Sequence, residues 1–247
     1  MKGLLYKEFY MGRKSYALFF ALAFVFSLLG FLVFLSMICG NMKNMPSEDP
    51  QSVKIYATMF IYVPFLLILG AIDGCNQSIY SDYASNWMTY SYTLPTKATK
   101  AIGARYLSGV LLLPVCILYG IVNAAVICGI SGYPMSVDIL KNMVVFMLFE
   151  VIYFAIGVPM ALKYKTSQAV STRWGVIFIG CYFVMGLIGV NNGLLDEEVD
   201  GNLYMQQLFD KYEAIRDVLL PFIPLMILAV LGISFLISVK MYQRREN

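Results

Sequence analysis

Two carboxylates lie in or beside long apolar runs of this sequence, and the first of them is Glu150. It follows Leu140 by ten residues and precedes Leu162 by twelve, so a rise of about 1.5 Å per residue places it near the middle of a membrane-length helix. A charged carboxylate facing lipid there costs at least about 2.5–3.5 kcal/mol, and we expect Glu150 to face other helices or a wet cavity. A hydrogen bond between helices, a substrate-pathway contact and a proton-coupling site all fit this placement.

The second carboxylate is Asp73, which lies near the end of another apolar run and is followed by Asn76, Gln77 and Ser78. Two interpretations are open. The first is a polar helix exit within reach of water, and the second is a gate at the mouth of a substrate pathway.

Several kinds of chemistry are excluded by residues that the sequence lacks. It has no histidine and five cysteines, and no two cysteines have the C-x-x-C spacing of a metal or redox site. Histidine-dependent nucleophilic catalysis is therefore excluded, as is a phosphate loop, because G-x-x-x-x-G-K-[ST] is absent. We expect no catalytic residue, no metal ligand and no cofactor held by this chain.

The composition identifies the class of protein. Hydrophobic residues make up 60% of the chain, charged residues 13%, and the mean hydropathy is +0.71, which is typical of an integral membrane protein. A helix needs about 20 apolar residues to cross the hydrocarbon core. The sequence predicts one all-α transmembrane domain over residues 1–247, with six spans at residues 16–39, 55–75, 107–130, 140–162, 174–191 and 218–240.

The basic residues predict the orientation of these spans. Most of the 18 lysines and arginines lie in four segments, at residues 2–14, 97–105, 163–173 and 240–245, all of which fall on one side of a six-span topology. Because basic residues concentrate in cytoplasmic segments, we expect both termini in the cytoplasm.

A polar, aromatic-rich stretch separates the second and third predicted spans. Tyr80, Tyr83, Trp87 and Tyr90 follow one another at helical spacing, and Pro95 ends the pattern. The spacing predicts an amphipathic cytoplasmic helix at about residues 80–93. Its aromatic face either lies among lipid headgroups or docks into a groove on a soluble partner.

Two further segments outside the spans have recognisable patterns. The basic and apolar residues of 2–14 predict an amphipathic elbow helix along the inner leaflet, the alternative being an unstructured basic tail. Residues 192–217 form the longest predicted extracellular loop, with an acidic run at 196–200. That run either attracts a cationic cargo or is a solvated loop.

A family resemblance follows from the order of residues around the cytoplasmic stretch, which is Asp82, Trp87, Tyr90, Leu94, Pro95, Lys97, Lys100, Arg105 and Tyr106. This order resembles the segment between the second and third spans of ABC-2 type transporter permeases, the membrane subunits of bacterial ATP-binding cassette exporters. The opening MKGLLYKEFYMGRKSY resembles the start of the same permeases. Unlike many drug and polysaccharide exporters, this chain has no Glu-Arg-Gly run after Asp82, and it looks most like small permeases of peptide or lantibiotic exporters.

The resemblance implies a partner and a mechanism. A separate ATPase would bind ATP and Mg²⁺, and the 80–93 segment would act as its coupling helix through Tyr80, Asp82, Tyr83, Trp87 and Tyr90. Two permease subunits would face each other, as a homodimer or a heterodimer, in the bacterial cytoplasmic membrane.

The sequence also suggests a pathway for cargo. Its candidate lining residues are Glu150, Asp73, Phe60, Phe65, Phe178 and Phe183, although aromatic residues at such positions also serve plain helix packing. Aromatic and Met side chains tolerate varied apolar surfaces, so an amphipathic peptide is the expected substrate. The alternative function is a self-sufficient channel or a proton-coupled carrier that uses Glu150.

Overall fold

The computed structural model describes residues 2–39, 50–87, 97–164 and 211–246, and every regular element in those ranges is helical. The helices are α1 (Lys2–Cys39), α2 (Pro50–Leu69), α3 (Gly74–Ala84), α4 (Ala98–Ser131), α5 (Val137–Tyr164) and α6 (Ile223–Glu246). A 3₁₀ turn, Gly70–Asp73, joins α2 to α3, and a second one, Leu220–Phe222, joins helical residues 211–219 to α6.

Five helical segments among the described residues are long and apolar enough to cross a membrane, judged by length and composition. They confirm the all-helical class and contain five of the six predicted spans. The remaining predicted span, at residues 174–191, lies outside the described residues, together with Phe178 and Phe183.

Helix α1 corrects the expected start of the chain. The sequence predicts an elbow helix separate from the first span, whereas the structure has one unbroken helix from Lys2 to Cys39. No proline interrupts this stretch, so the backbone has no obligatory kink. Side-chain contacts from Lys7 and Glu8 to α3 and α4 also hold the first turns against the bundle.

The stretch between the second and third spans corrects a further expectation. The predicted helix over 80–93 is interrupted, because α3 ends at Ala84 and residues 85 and 86 form a turn. Asn86 adopts the left-handed conformation with φ of 56°, which asparagine tolerates better than most residues. Tyr83 and Trp87 are therefore not on one continuous helical face, and residues 88–93 lie outside the described ranges.

The last helical segment begins earlier than the hydropathy pattern predicts. Residues 211–217 were expected in the extracellular loop, but they are helical and continuous with the last candidate span, Lys211–Arg244. Arg216 and Tyr212 of this segment are tied to α5 by hydrogen bonds. These contacts give the polar first turns a packed position that hydropathy alone does not detect.

The core lies where α1, α2, α4 and α5 meet. Phe34, Phe65 and Phe154 are among its largest fully buried side chains. Close helix approach depends on glycine, since a Cβ at Gly109 of α4 would lie 2.7 Å from Cζ of Phe154. Gly120 gives Phe65 the same kind of space, in agreement with the close packing that small residues permit between membrane helices.

Pro64 lies inside α2 and leaves one backbone acceptor without its helical donor. A proline has no N–H, so the carbonyl of Phe60, four residues earlier, loses its usual partner. Asn123 of α4 donates from Nδ2 to this oxygen at 3.0 Å. A side chain of a neighbouring helix thus satisfies a carbonyl that hydrocarbon would leave unpaired.

Pro159 of α5 repeats this arrangement with different residues. The freed carbonyl belongs to Ala155, and the hydroxyl of Ser234 in α6 donates to it. The α5–α6 contact therefore has a specific polar bond at the position where α5 lacks an internal one.

Candidate functional site: a buried charge cluster

Four charged side chains meet at one end of the bundle and form what we call the charge cluster, namely Lys7, Glu8, Asp82 and Arg105. Lys7 Nζ and Arg105 Nη2 each lie 2.6 Å from the same oxygen, Oδ2 of Asp82. Arg105 Nε also contacts Glu8 Oε1 at 3.4 Å. The cluster therefore joins the first turns of α1, the last turn of α3 and the start of α4.

Both carboxylates of the cluster are removed from solvent. Asp82 is 0% exposed and Glu8 is 2% exposed, and Ser78 of α3 donates its hydroxyl to Glu8 Oε2 at 2.5 Å. Two cations and two anions leave the cluster formally neutral. Buried charges need such partners, because removing one member of a buried pair costs about 3–5 kcal/mol.

Lys7 connects the cluster to the turn that follows α3. Its Nζ, already bound to Asp82, lies 5.3 Å from the centroid of the Trp87 ring, within the range of a cation–π contact. Asn86 sets the position of this ring, since its left-handed backbone turns the chain immediately before Trp87. A displacement of Trp87 would therefore act on α1 through Lys7.

Tyr83 makes a second connection from the end of α3, in this case to α5. Its hydroxyl donates to the carbonyl of Leu162 at 3.2 Å. Leu162 lies in the last turn of α5, where backbone carbonyls lack helical donors. Tyr80 is half-buried, and Tyr90 lies outside the described residues.

Arg105 is followed by Tyr106, which extends the polar contacts toward α6. The Tyr106 hydroxyl lies 2.6 Å from Ser234 Oγ and 3.0 Å from Ser238 Oγ. Ser234 donates its own proton to the Ala155 carbonyl. Arg105 thus belongs to the charge cluster, while its neighbour Tyr106 contacts Ser234 of α6. Through Ser234, this contact reaches the part of α5 that Pro159 interrupts.

The remaining predicted site residues are dispersed along the helices. Asp73 ends the 3₁₀ turn, and its Oδ1 accepts from Asn76 Nδ2 at 2.6 Å. Phe60 and Phe65 are buried in the core, with exposures of 9% and 1%. Glu150 is half-buried in the middle of α5. Their roles on a substrate pathway stay predictions.

A second polar cluster closes the opposite end of the bundle. Arg216, whose side chain is 2% exposed, contacts Asp138 Oδ1 at 2.8 Å and Asn142 Oδ1 at 3.0 Å. Asn142 in turn donates to the Tyr62 hydroxyl of α2 at 3.1 Å. Arg105 lies near the start of α4, and α4 ends at Ser131, shortly before the first turns of α5, which contain Asp138 and Asn142. Arg105 and Ser131 are about 39 Å apart at 1.5 Å per residue, so the two clusters lie at the two ends of the bundle.

Sequence reasoning identified some members of the charge cluster and missed their association. Asp82 was expected as a coupling residue, Arg105 as part of the family resemblance, and Lys7 only as a basic residue of its segment. Glu8 was missed. Its signal is that it is the single acid among residues 2–39, which is unusual in a basic segment, but nothing in the spacing pairs it with a residue 97 positions away.

Among the described residues, no three Cys, Asp or Glu side chains come together as metal ligands would. The charge cluster is internally neutralised. Its chemistry is therefore that of a junction between helices, and its charges are used in contacts within the chain.

The fold and the cluster together define a multi-pass helical membrane protein whose helices are tied by charge at one end. The chain belongs to the ABC-2 transporter family, since the model described as ABC-2 family transporter protein matches residues 3–243. A comparison with curated proteins finds no match.

Family membership states the general role. The chain is a membrane permease of an ABC transporter, a kind of subunit that is generally non-catalytic. The family implies association with an ATPase subunit. Membership also confirms the resemblance seen in the residues between the second and third spans.

Proposed function

We propose that this chain is the permease of an exporter in which the charge cluster carries movement from a partner ATPase into the membrane helices. The observation that supports this most is the double contact of Lys7, which binds Asp82 and lies over Trp87. A partner that moves the segment after α3 would thereby move α1 and α4 as well.

The proposed direction of coupling follows from the basic residues. The charge cluster lies at the end of the bundle that carries residues 2–14, 97–105 and 240–244. Because basic segments face the cytoplasm, this end is the one that a soluble ATPase would reach. In this proposal ATP and Mg²⁺ are bound by the ATPase, and this chain supplies no catalytic group.

The proposed cargo is an amphipathic peptide, exported from the bacterial cytoplasm between two permease subunits. Within the described residues, the core of the bundle is filled by large side chains that include Phe34, Phe65 and Phe154. Two bundles facing each other would provide a wider pathway. Glu150, halfway along α5, would hold a basic group of the peptide.

A pull-down from membranes tests the coupling proposal. We expect Trp87→Ala and Tyr83→Ala to weaken recovery of the ATPase while the permease still inserts and folds. Tyr56→Ala is the matched control, because Tyr56 is an aromatic residue that is 38% exposed on α2, toward the opposite end of the bundle. Full recovery of the ATPase by both test variants would contradict the proposal.

A further inference from the structure

The outward face of α1 changes character along its length. Its exposed side chains between Leu18 and Ile38 are apolar, with Phe24 at 63% exposure and Leu28 at 47%. Nearer the N-terminus, the exposed charged and aromatic residues are Lys2, Tyr6, Tyr10, Arg13 and Lys14. No described element covers either part.

The two parts form one continuous face. Tyr6 and Phe24, Tyr10 and Leu28, and Arg13 and Phe31 are each separated by five turns of about 3.6 residues. Each pair therefore projects in the same direction from the unbroken helix. In a multi-pass membrane protein the apolar part contacts acyl chains, so the aromatic and basic part continues toward the headgroups of the same lipids.

The expected depth of these α1 residues in the membrane agrees with contact between the basic part and the lipid headgroups. Leu18 and Ile38 are about 30 Å apart at 1.5 Å per residue, which equals the thickness of the hydrocarbon core. Arg13 lies about 8 Å beyond Leu18, within or just outside the headgroup layer, which adds about 5–7 Å on each side.

The charged residues in the first turns of α1 differ between its inward and outward faces. Lys7 and Glu8 turn inward and join the charge cluster, whereas Lys2, Arg13 and Lys14 are exposed. The outward face is therefore purely basic. Arg13 Cζ lies 4.0 Å from the centroid of the Tyr10 ring, and Tyr6 stacks on Tyr10 with centroids 6.2 Å apart.

We propose that this face, centred on Arg13, Lys14 and Tyr10, binds the headgroups of anionic phospholipids in the leaflet at the charge-cluster end. The stacked Tyr10 ring limits the freedom of Arg13, so less conformational entropy is lost when its guanidinium binds a phosphate. Since α1 also carries Lys7, lipid bound here contacts the helix that closes the charge cluster.

The test uses the full chain in nanodiscs with a photoactivatable phosphatidylglycerol probe, with a phosphatidylcholine probe of the same design for comparison. We expect phosphatidylglycerol to crosslink to residues 2–18 in preference to phosphatidylcholine. Each basic residue removed should lower that crosslinking about fivefold. The variant is Arg13→Gln with Lys14→Gln, and crosslinking should persist in Arg13→Lys.

The matched control is Lys100→Gln with Arg244→Gln, which removes the same charge from exposed positions at the same end of the bundle. Equal crosslinking of the two probes in the unmodified protein would overturn the proposal. So would an equal loss in the control variant. Unchanged crosslinking in the Arg13 and Lys14 variant, with loss of the ATPase, would mean that this face docks protein.

Discussion

Arg105 Nη2 donates to Asp82 Oδ2 at 2.6 Å, across 23 positions of the chain. This contact closes the segment between the second and third spans, because Asp82 lies near the end of α3 and Arg105 near the start of α4. The contact thereby ties the end of α3 to the start of α4. A force applied to the chain between them acts on both helices at once.

The Arg105 contact predicts a large and specific loss of stability. Arg105→Met leaves Glu8 and Asp82 with Lys7 as their one remaining cation in the cluster, and should cost about 3–5 kcal/mol. Adding Asp82→Asn removes one uncompensated charge and should recover part of that loss. Thermal unfolding of the two single variants and the double variant in detergent gives the coupling energy between Arg105 and Asp82.

Lys100→Met is the control for this cycle, since Lys100 is an exposed cation on the same helix. It should change stability by no more than about 0.5 kcal/mol. Arg105→Met unfolding at the same temperature as Lys100→Met would show that the cluster contributes nothing to the fold.

The turn at Asn86 predicts a difference between two substitutions at one site. Its φ of 56° suits glycine, whereas a β-branched residue is strained in this region by about 1–2 kcal/mol. Asn86→Gly should therefore keep ATP hydrolysis by the complex near the unmodified rate, and Asn86→Val should lower it. Equal rates of ATP hydrolysis for the two variants would show that the position of Trp87 does not affect coupling.

The Asn123–Phe60 bond predicts a rescue. Asn123→Leu leaves the Phe60 carbonyl without a donor and should cost about 1–3 kcal/mol. In the Pro64→Ala background the same substitution should cost much less, because an alanine at that position supplies the N–H that bonds this carbonyl within α2. Chemical unfolding of the four proteins measures the difference. An equal cost in both backgrounds would contradict the assignment.

The cluster at the opposite end predicts unequal effects from two neighbouring residues. Arg216 is almost fully buried, whereas the Asp217 side chain is 48% exposed. Arg216→Met should destabilise the protein by about 1–3 kcal/mol, since it removes a buried guanidinium that donates hydrogen bonds to Asn142 and Asp138, and Asp217→Asn by about 1 kcal/mol or less. Differential scanning fluorimetry compares the two, and similar shifts would mean that burial does not decide the effect.

Hydropathy and length predicted the five spans that lie within the described residues, because a span is a property of about 20 consecutive residues. The polar contacts that join these helices connect residues far apart in the sequence. Glu8 meets Arg105 across 97 positions, and Asn123 meets Phe60 across 63. Nothing in the spacing of either residue names its partner.

Helix ends were the second weakness of sequence reasoning. Aromatic spacing from Tyr80 to Tyr90 predicted one helix, but periodicity does not detect the left-handed stop at Asn86. A serine followed by an asparagine was the available signal, since both side chains compete with helical hydrogen bonds. The early start of the last segment was missed because its first turns are polar and are stabilised by Asn142 and Asp138 of α5.

The most direct test of the whole account is transport by the reconstituted complex. Inverted vesicles containing this permease and its ATPase should take up a labelled cationic amphipathic peptide when ATP is supplied, and not when the ATPase carries an inactivating substitution. Arg105→Met and Asp82→Asn should each reduce uptake at equal assembly of the complex. ATP-independent uptake, or unchanged ATP-driven uptake in both cluster variants, would contradict the central claim that the charge cluster couples the ATPase to export.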